Sequence, residues 1–137
     1  MFRKALIFLL FAALALPAYA IQARTITIVG QDNLRFSVEK ITAKPGEKLT
    51  VKLVNNSKLP AMAMSHDFVL LKSGVDAHAF DQAASTAKAT DYIPESKANE
   101  IIAHTAMVAG GHSDSVTFTV PEKAGTYVYI CTFPGHF

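Results

Sequence analysis

Residues 115–136 read Ser115-Val116-Thr117-Phe118-Thr119-Val120, Pro121-Glu122-Lys123-Ala124-Gly125, then Thr126-Tyr127-Val128-Tyr129-Ile130-Cys131-Thr132-Phe133-Pro134-Gly135-His136. The first six alternate Val116, Phe118 and Val120 against small polar residues, the period-two pattern of a half-buried strand. Pro121 to Gly125 makes a turn. Thr126 to Cys131 then predicts a second strand, with Tyr127, Tyr129 and Cys131 on one face. Two strands joined by a short turn are the unit of an all-β fold.

The same reading extends toward the N-terminus. Ile26 and Ile28 alternate with Thr25 and Thr27, Arg35 to Ile41 continues in β-favouring residues, and Leu49, Val51 and Leu53 alternate after the turn Lys44-Pro45-Gly46-Glu47. Asn55-Asn56-Ser57-Lys58 breaks that strand. Leu59 to Ser65 is an apolar, Met-rich connection into His66-Asp67-Phe68-Val69-Leu70-Leu71, where His66, Phe68 and Leu70 face one way. Gly74 to Ala89 is Ala-rich with loose helical spacing and predicts one short helix. Tyr92 to Asn99 reads as loop, Glu100 to Val108 as mixed, and Gly110-Gly111 as a turn. Strands recurring between turn signals predict an all-β, antiparallel two-sheet Greek-key sandwich with one short inserted helix.

The chain has 137 residues, one domain's worth. Its start, Met1 to Ala20, places Arg3 and Lys4 before an apolar run and ends on Ala18-Tyr19-Ala20, the pattern of a cleavable secretory signal. Residues 21–137 are then the mature domain. The apolar run is short for a membrane span, so stable insertion after cleavage is not expected, and the periplasm of a bacterium is the expected location. Removing Arg3 and Lys4 leaves the 11 acidic residues matched one for one by Lys and Arg. That balance argues against a nucleic-acid partner.

Cys131 is the only cysteine and cannot pair within the chain. Alone it reads as a small buried hydrophobe. Its neighbours change that reading: His136 follows five residues later, and Pro134-Gly135 folds the chain back so that thiolate and imidazole can reach one atom. A third donor must come from elsewhere, and His66, opening its own strand after an apolar loop, is placed to supply it. Two imidazoles and one thiolate form a trigonal set suited to copper. His78, His104 and His112 read as solvent-facing or loop residues. Tyr127 and Tyr129 read as packing, with a tyrosine-corner hydrogen bond open to Tyr127.

The run Cys131-Thr132-Phe133-Pro134-Gly135-His136 resembles the copper-binding loop of the azurin and auracyanin group of small blue copper proteins, which are cupredoxins. Leu59-Pro60 ahead of His66, the segment His66-Asp67-Phe68-Val69-Leu70, Ala103-His104-Thr105 and Asp114 to Phe118 are similar to azurin segments as well. The resemblance implies a mononuclear site with His66, Cys131 and His136 as equatorial ligands and the backbone carbonyl of Ser65 on one axial side. It also implies an axial Met and a final strand beyond Phe137, so the sequence is expected to be C-terminally incomplete. Asp67 stands where azurins have an Asn that bonds to the chain beside the Cys ligand, here Thr132. The N-terminal disulfide usual in azurins is absent.

The implied function is that of a one-electron carrier between redox proteins such as c-type cytochromes or copper reductases and oxidases, not an enzyme. Leu59, Pro60, Ala61, Met62, Phe133, Pro134 and Phe137 would surround the exposed edge of His136 as a docking surface. Two alternatives stay open: copper delivery or storage, hinted at by Met62-Ala63-Met64, and a copper enzyme with an open coordination position.

Overall fold

Alternation in the sequence becomes a ladder of inward side chains along β1 (Arg24–Gly30) and β2 (Lys48–Asn55), where Ile28, Leu49, Val51 and Leu53 are buried. The structure, a computed structural model, describes residues 22–137. The leader expected at residues 1–20 lies outside the described residues. No helix among those described is long and apolar enough to cross a membrane. The remaining elements are β3 (Val69–Leu71), α1 (Ala77–Ser85), β4 (Ile101–His104), β5 (Ser113–Thr119) and β6 (Tyr129–Ile130).

Two three-stranded sheets form, with strand orders β1-β2-β5 and β4-β3-β6. The main core lies between them, with Ile28, Leu49, Val51 and Leu53 of the first sheet against Phe68, Leu70 and Val108. On the outer side of the second sheet, α1 packs Phe80 and Ala84, four residues apart, over Val69, Leu71 and Ile130. Asp76 caps this helix by accepting from the backbone N–H groups of His78 and Ala79. The two-sheet sandwich and its short helix are as expected from the sequence.

Several local expectations are corrected. The sandwich is not wholly antiparallel: β1 and β2 pair in parallel, from Arg24↔Leu49 to Gly30↔Asn55. Parallel neighbours need a long crossover, and residues 31–47 provide it. Within that crossover, Arg35 to Ile41 is not a strand; its only ladder contact is the bridge Gly30↔Phe36. Leu34 turns the chain with φ 68°, and Phe36, Val38 and Ile41 satisfy their apolar character by packing on the core.

The strand expected over Thr126–Cys131 shortens to Tyr129–Ile130. Before it, the Tyr127 hydroxyl donates to the Lys123 carbonyl at 2.7 Å, the corner foreseen for that residue. After it, the backbone of Thr132 turns to the Asp67 carboxylate instead of a strand. Likewise His66 joins the sheet region by a bridge to Val108, and the ladder proper starts only at Val69. Part of the expected loop over Tyr92–Asn99 winds into a 3-10 turn at Glu95–Glu100.

Candidate metal centre

His66 and Cys131 come together because β3 and β6 are direct neighbours, with Val69↔Ile130 in register. Each of these donors precedes or follows its strand by a few residues, at the same end of the sheet. His136 returns to them through a tight turn. Gly135 takes φ 86°, which favours glycine, and the His136 N–H donates to the Phe133 carbonyl at 3.0 Å. The Pro-Gly reading of this loop is therefore fulfilled in its backbone.

The three donors form a compact triangle. Cys131 Sγ is 3.8 Å from His66 Nδ1 and 3.7 Å from His136 Nδ1, and the two nitrogens are 3.3 Å apart. All three residues are buried, His136 least so at 7% exposure. Bonds of about 2.0 Å to imidazole nitrogen and about 2.3 Å to thiolate, opened by about 110–120°, put such donors about 3.3–3.7 Å apart. The triangle fits a single ion at its centre.

Protonation chemistry agrees. Burial lowers the pKa of His66, and burial followed by the neighbouring His66 brings His136 down to about 4, so both rings are neutral at pH 7. Burial, and then the charge of Asp67, push the Cys131 thiol up. Neutral imidazoles and a protonated thiol thus converge with no internal partner for every lone pair. A cation at the centre accepts the lone pairs and stabilises the thiolate, reversing the penalty that burial imposes. His66 Nε2, on the far side of its ring, is buried without a hydrogen-bond partner, and the nearby Gln31 backbone favours a proton on the ring. An Nε2–H tautomer there leaves Nδ1 free to ligate.

The surroundings hold the donors. Asp67 accepts from the Thr132 backbone N–H at 2.6 Å and from its hydroxyl at 2.5 Å, tying the residue after His66 to the residue after Cys131. Burial raises the Asp67 pKa to about 6, against the lowering effect of these two hydrogen bonds, so it is mostly ionised at pH 7. The His66 backbone is fixed by N–H to Val108 O at 3.0 Å and the reciprocal bond at 2.7 Å.

Ser65 is buried beside His66. Its hydroxyl donates to the Ala61 carbonyl at 2.8 Å, which leaves its backbone carbonyl as the group it can offer a metal.

His78, His104 and His112 are exposed and outside the cluster, as expected. Met64 is buried at 5% exposure and Met62 is 91% exposed. Leu59, Pro60, Ala61, Pro134 and Phe137 are exposed too, and Phe133 is half-buried with its ring 4.7 Å from that of His136.

Two supporting features were not foreseen. Asn55, read only as a pattern break, is fully buried. Its amide donates to Met64 O at 3.0 Å and Val108 O at 2.9 Å while its side-chain oxygen accepts from Ser57 N, so one residue gathers three segments behind the site. Tyr92, read as loop, sits with Asp91 at positive φ (63° and 50°) and packs edge-on against Phe133 at 5.7 Å. A Tyr-Ile-Pro run gives no sign of that backbone state; a polar residue ending a clean β alternation was a usable clue for Asn55.

Two imidazoles and a thiol held at one end of a two-sheet Greek-key sandwich define a cupredoxin with a mononuclear metal centre. A model of the copper-binding proteins of the plastocyanin/azurin family matches residues 23–137. The chain belongs to that family, whose azurin and auracyanin members are blue copper electron carriers and not enzymes, and copper is its cofactor. It is 33% identical over 139 residues to azurin of Achromobacter denitrificans, covering 99% of this chain and 92% of that one. It is 35% identical over 116 residues to azurin-1 of Alcaligenes xylosoxydans xylosoxydans, covering 82% and 89%. Among solved structures, auracyanin A of Chloroflexus aurantiacus superposes with a TM-score of 0.74 at 35% identity, covering 85% of this chain and 92% of that one.

Proposed function

We propose that residues 21–137 form a periplasmic one-electron shuttle in which His66, Cys131 and His136 ligate one copper ion, with the Ser65 carbonyl on an axial side. The observation that carries this reading is the buried triangle of two Nδ1 atoms and one Sγ at 3.3–3.8 Å. Copper bound there supplies a reversible Cu(I)/Cu(II) couple. The chain's own part is to keep the donors still, which Asp67–Thr132, His66–Val108 and the Asn55 amide do through hydrogen bonds to backbone on every side. Donors that cannot rearrange keep the reorganisation on electron transfer small.

His136 is the donor nearest the surface, and the apolar residues 59–62, 133, 134 and 137 make the face on which partners dock. The partners are redox proteins such as c-type cytochromes or copper-containing reductases and oxidases. Export follows from the leader-like residues 1–20, and cell fractionation of the full-length protein tests it: recovery with the cytoplasm would overturn it. For the site itself, copper-loaded protein is expected to show an intense visible thiolate-to-Cu(II) band that bleaches reversibly with one electron per copper. Cys131→Ser should abolish it. Copper bound stoichiometrically without that band, or a band retained in Cys131→Ser, would sink the assignment.

A further inference from the structure

Gly30 closes β1 directly behind the His66 ring. A Cβ built on it would lie 2.4 Å from both Cγ and Cδ2 of His66 and 2.9 Å from its Cβ, closer than carbon atoms approach. The backbone of Gly30 does not lie at positive φ, so what this position requires of its residue is the missing side chain, not glycine's freedom of torsion.

We propose that Gly30 is a positioning residue for the copper site: the bare end of β1 is the wall against which the His66 imidazole is seated, and it sets where Nδ1 points. The inference rests on His66 being a ligand, as proposed above. His66 cannot escape a side chain at position 30 by moving its backbone. That backbone is bonded both ways to Val108, and Asn55, the register partner of Gly30 on β2, holds the carbonyls of Met64 and Val108. Strain at position 30 therefore passes into the ring.

What room the ring has is the cavity it lines with Phe36, Cys131 and His136. The His136 ring lies 4.6 Å from it and the Phe36 ring 6.4 Å, while Nδ1 is already 3.3 Å from its counterpart on His136. Any rotation that relieves the clash changes the distances from Nδ1 to Cys131 and His136. One donor is thus aimed by the first sheet, whereas Cys131 and His136 are aimed by the second sheet and its loop. The site is complete only when both sheets dock.

A double-mutant cycle on metal-free protein tests the contact independently of copper. Gly30→Ala should lower the urea midpoint, or prevent folding, in the chain that carries His66, and should have little effect in His66→Gly, where the ring is gone. An equal loss in both backgrounds, including failure of both to fold, would overturn the proposal. In the loaded protein, Gly30→Ala should weaken copper affinity by about 10–100-fold, the range for residues that support ligands, and shift the visible band. Unchanged affinity and band would also overturn it. A wild-type protein with no such band would instead refute the ligand assignment and leave the metal-free cycle to be read on its own.

Discussion

At the residue scale, Asp67 offers two carboxylate oxygens where an Asn would offer one oxygen and an N–H donor. Both oxygens are used, one by the Thr132 N–H and one by its hydroxyl. The carboxylate is buried, ionised at neutral pH and adjacent in sequence to His66, so it places negative charge beside the metal centre. Negative charge favours the more positive ion, Cu(II), and lowers the reduction potential. Asp67→Asn should raise the potential, by on the order of tens of millivolts for one charge at close range in a partly polarisable interior. Redox titration of the two proteins checks this, and an unchanged or lower potential in the variant refutes it. Cys131 and His136 were legible because their chemistry is local: a lone thiol, a Pro-Gly turn and an imidazole announce a ligand loop, whereas His66 was singled out by its place at the start of a strand and by the family resemblance. Gly30 and Tyr92 were not legible, because their roles depend on parallel register and on a positive φ that residue type does not encode, and Asn55, though it ends a clean alternation, was read only as a break.

At the element scale, alternation located β1, β2 and β5 because one face of each meets the core and the other meets water. β3 was overdrawn at the end near the metal centre, where backbone groups leave the ladder to bond Val108 and Thr105, whereas the strand expected over 126–131 loses one residue at that end, where Thr132 bonds Asp67, and three at its start. The crossover 31–47 misled for another reason. Apolar residues packed under a sheet and apolar residues within one share a composition, and only hydrogen bonding separates them.

The start of that sheet is pinned by Glu47, which accepts from Arg24 Nε at 2.5 Å and from the Lys44 backbone N–H at 2.8 Å. Both contacts lower the Glu47 pKa, the Arg24 hydrogen bond most. A lowered carboxylate contributes stability above its unfolded pKa and loses it as the pH falls through the folded value. Wild-type protein should therefore shed stability below about pH 4.3 that Glu47→Gln does not, and urea midpoints measured from pH 6 to pH 3 check the slope. Helix α1 depends on one cap: Asp76→Ala removes the acceptor for two N–H groups. The expected cost is about 1 kcal/mol, a fall of a few degrees in Tm, with the visible copper band unchanged because the cap bonds only N–H groups of the helix and none of the three donors.

At the scale of the whole molecule, the sandwich buries three candidate donors at one end, His136 least completely, and the proposed docking face is the apolar rim of residues 59–62, 133, 134 and 137. With the 11 acidic residues balanced by Lys and Arg over residues 21–137, long-range charge contributes little net attraction, and on the proposed function contact at that rim selects the partner. Small, apolar, weakly held interfaces suit a carrier that has to dissociate after each electron. Met62 is the test of this arrangement because it is 91% exposed and packs against almost nothing, so replacing it perturbs the surface without touching the donors. Met62→Glu would force a carboxylate to lose water whenever the rim is covered, a cost of at least 1–2 kcal/mol by the lower transfer estimates, or about tenfold or more in encounter stability. Electron exchange with a protein partner should slow by about that factor, while exchange with a small inorganic oxidant, the visible band and the urea midpoint stay as in wild type. Equal rates with the protein partner would mean that electrons leave by another face, and that the apolar rim around His136 serves only to keep water from the site.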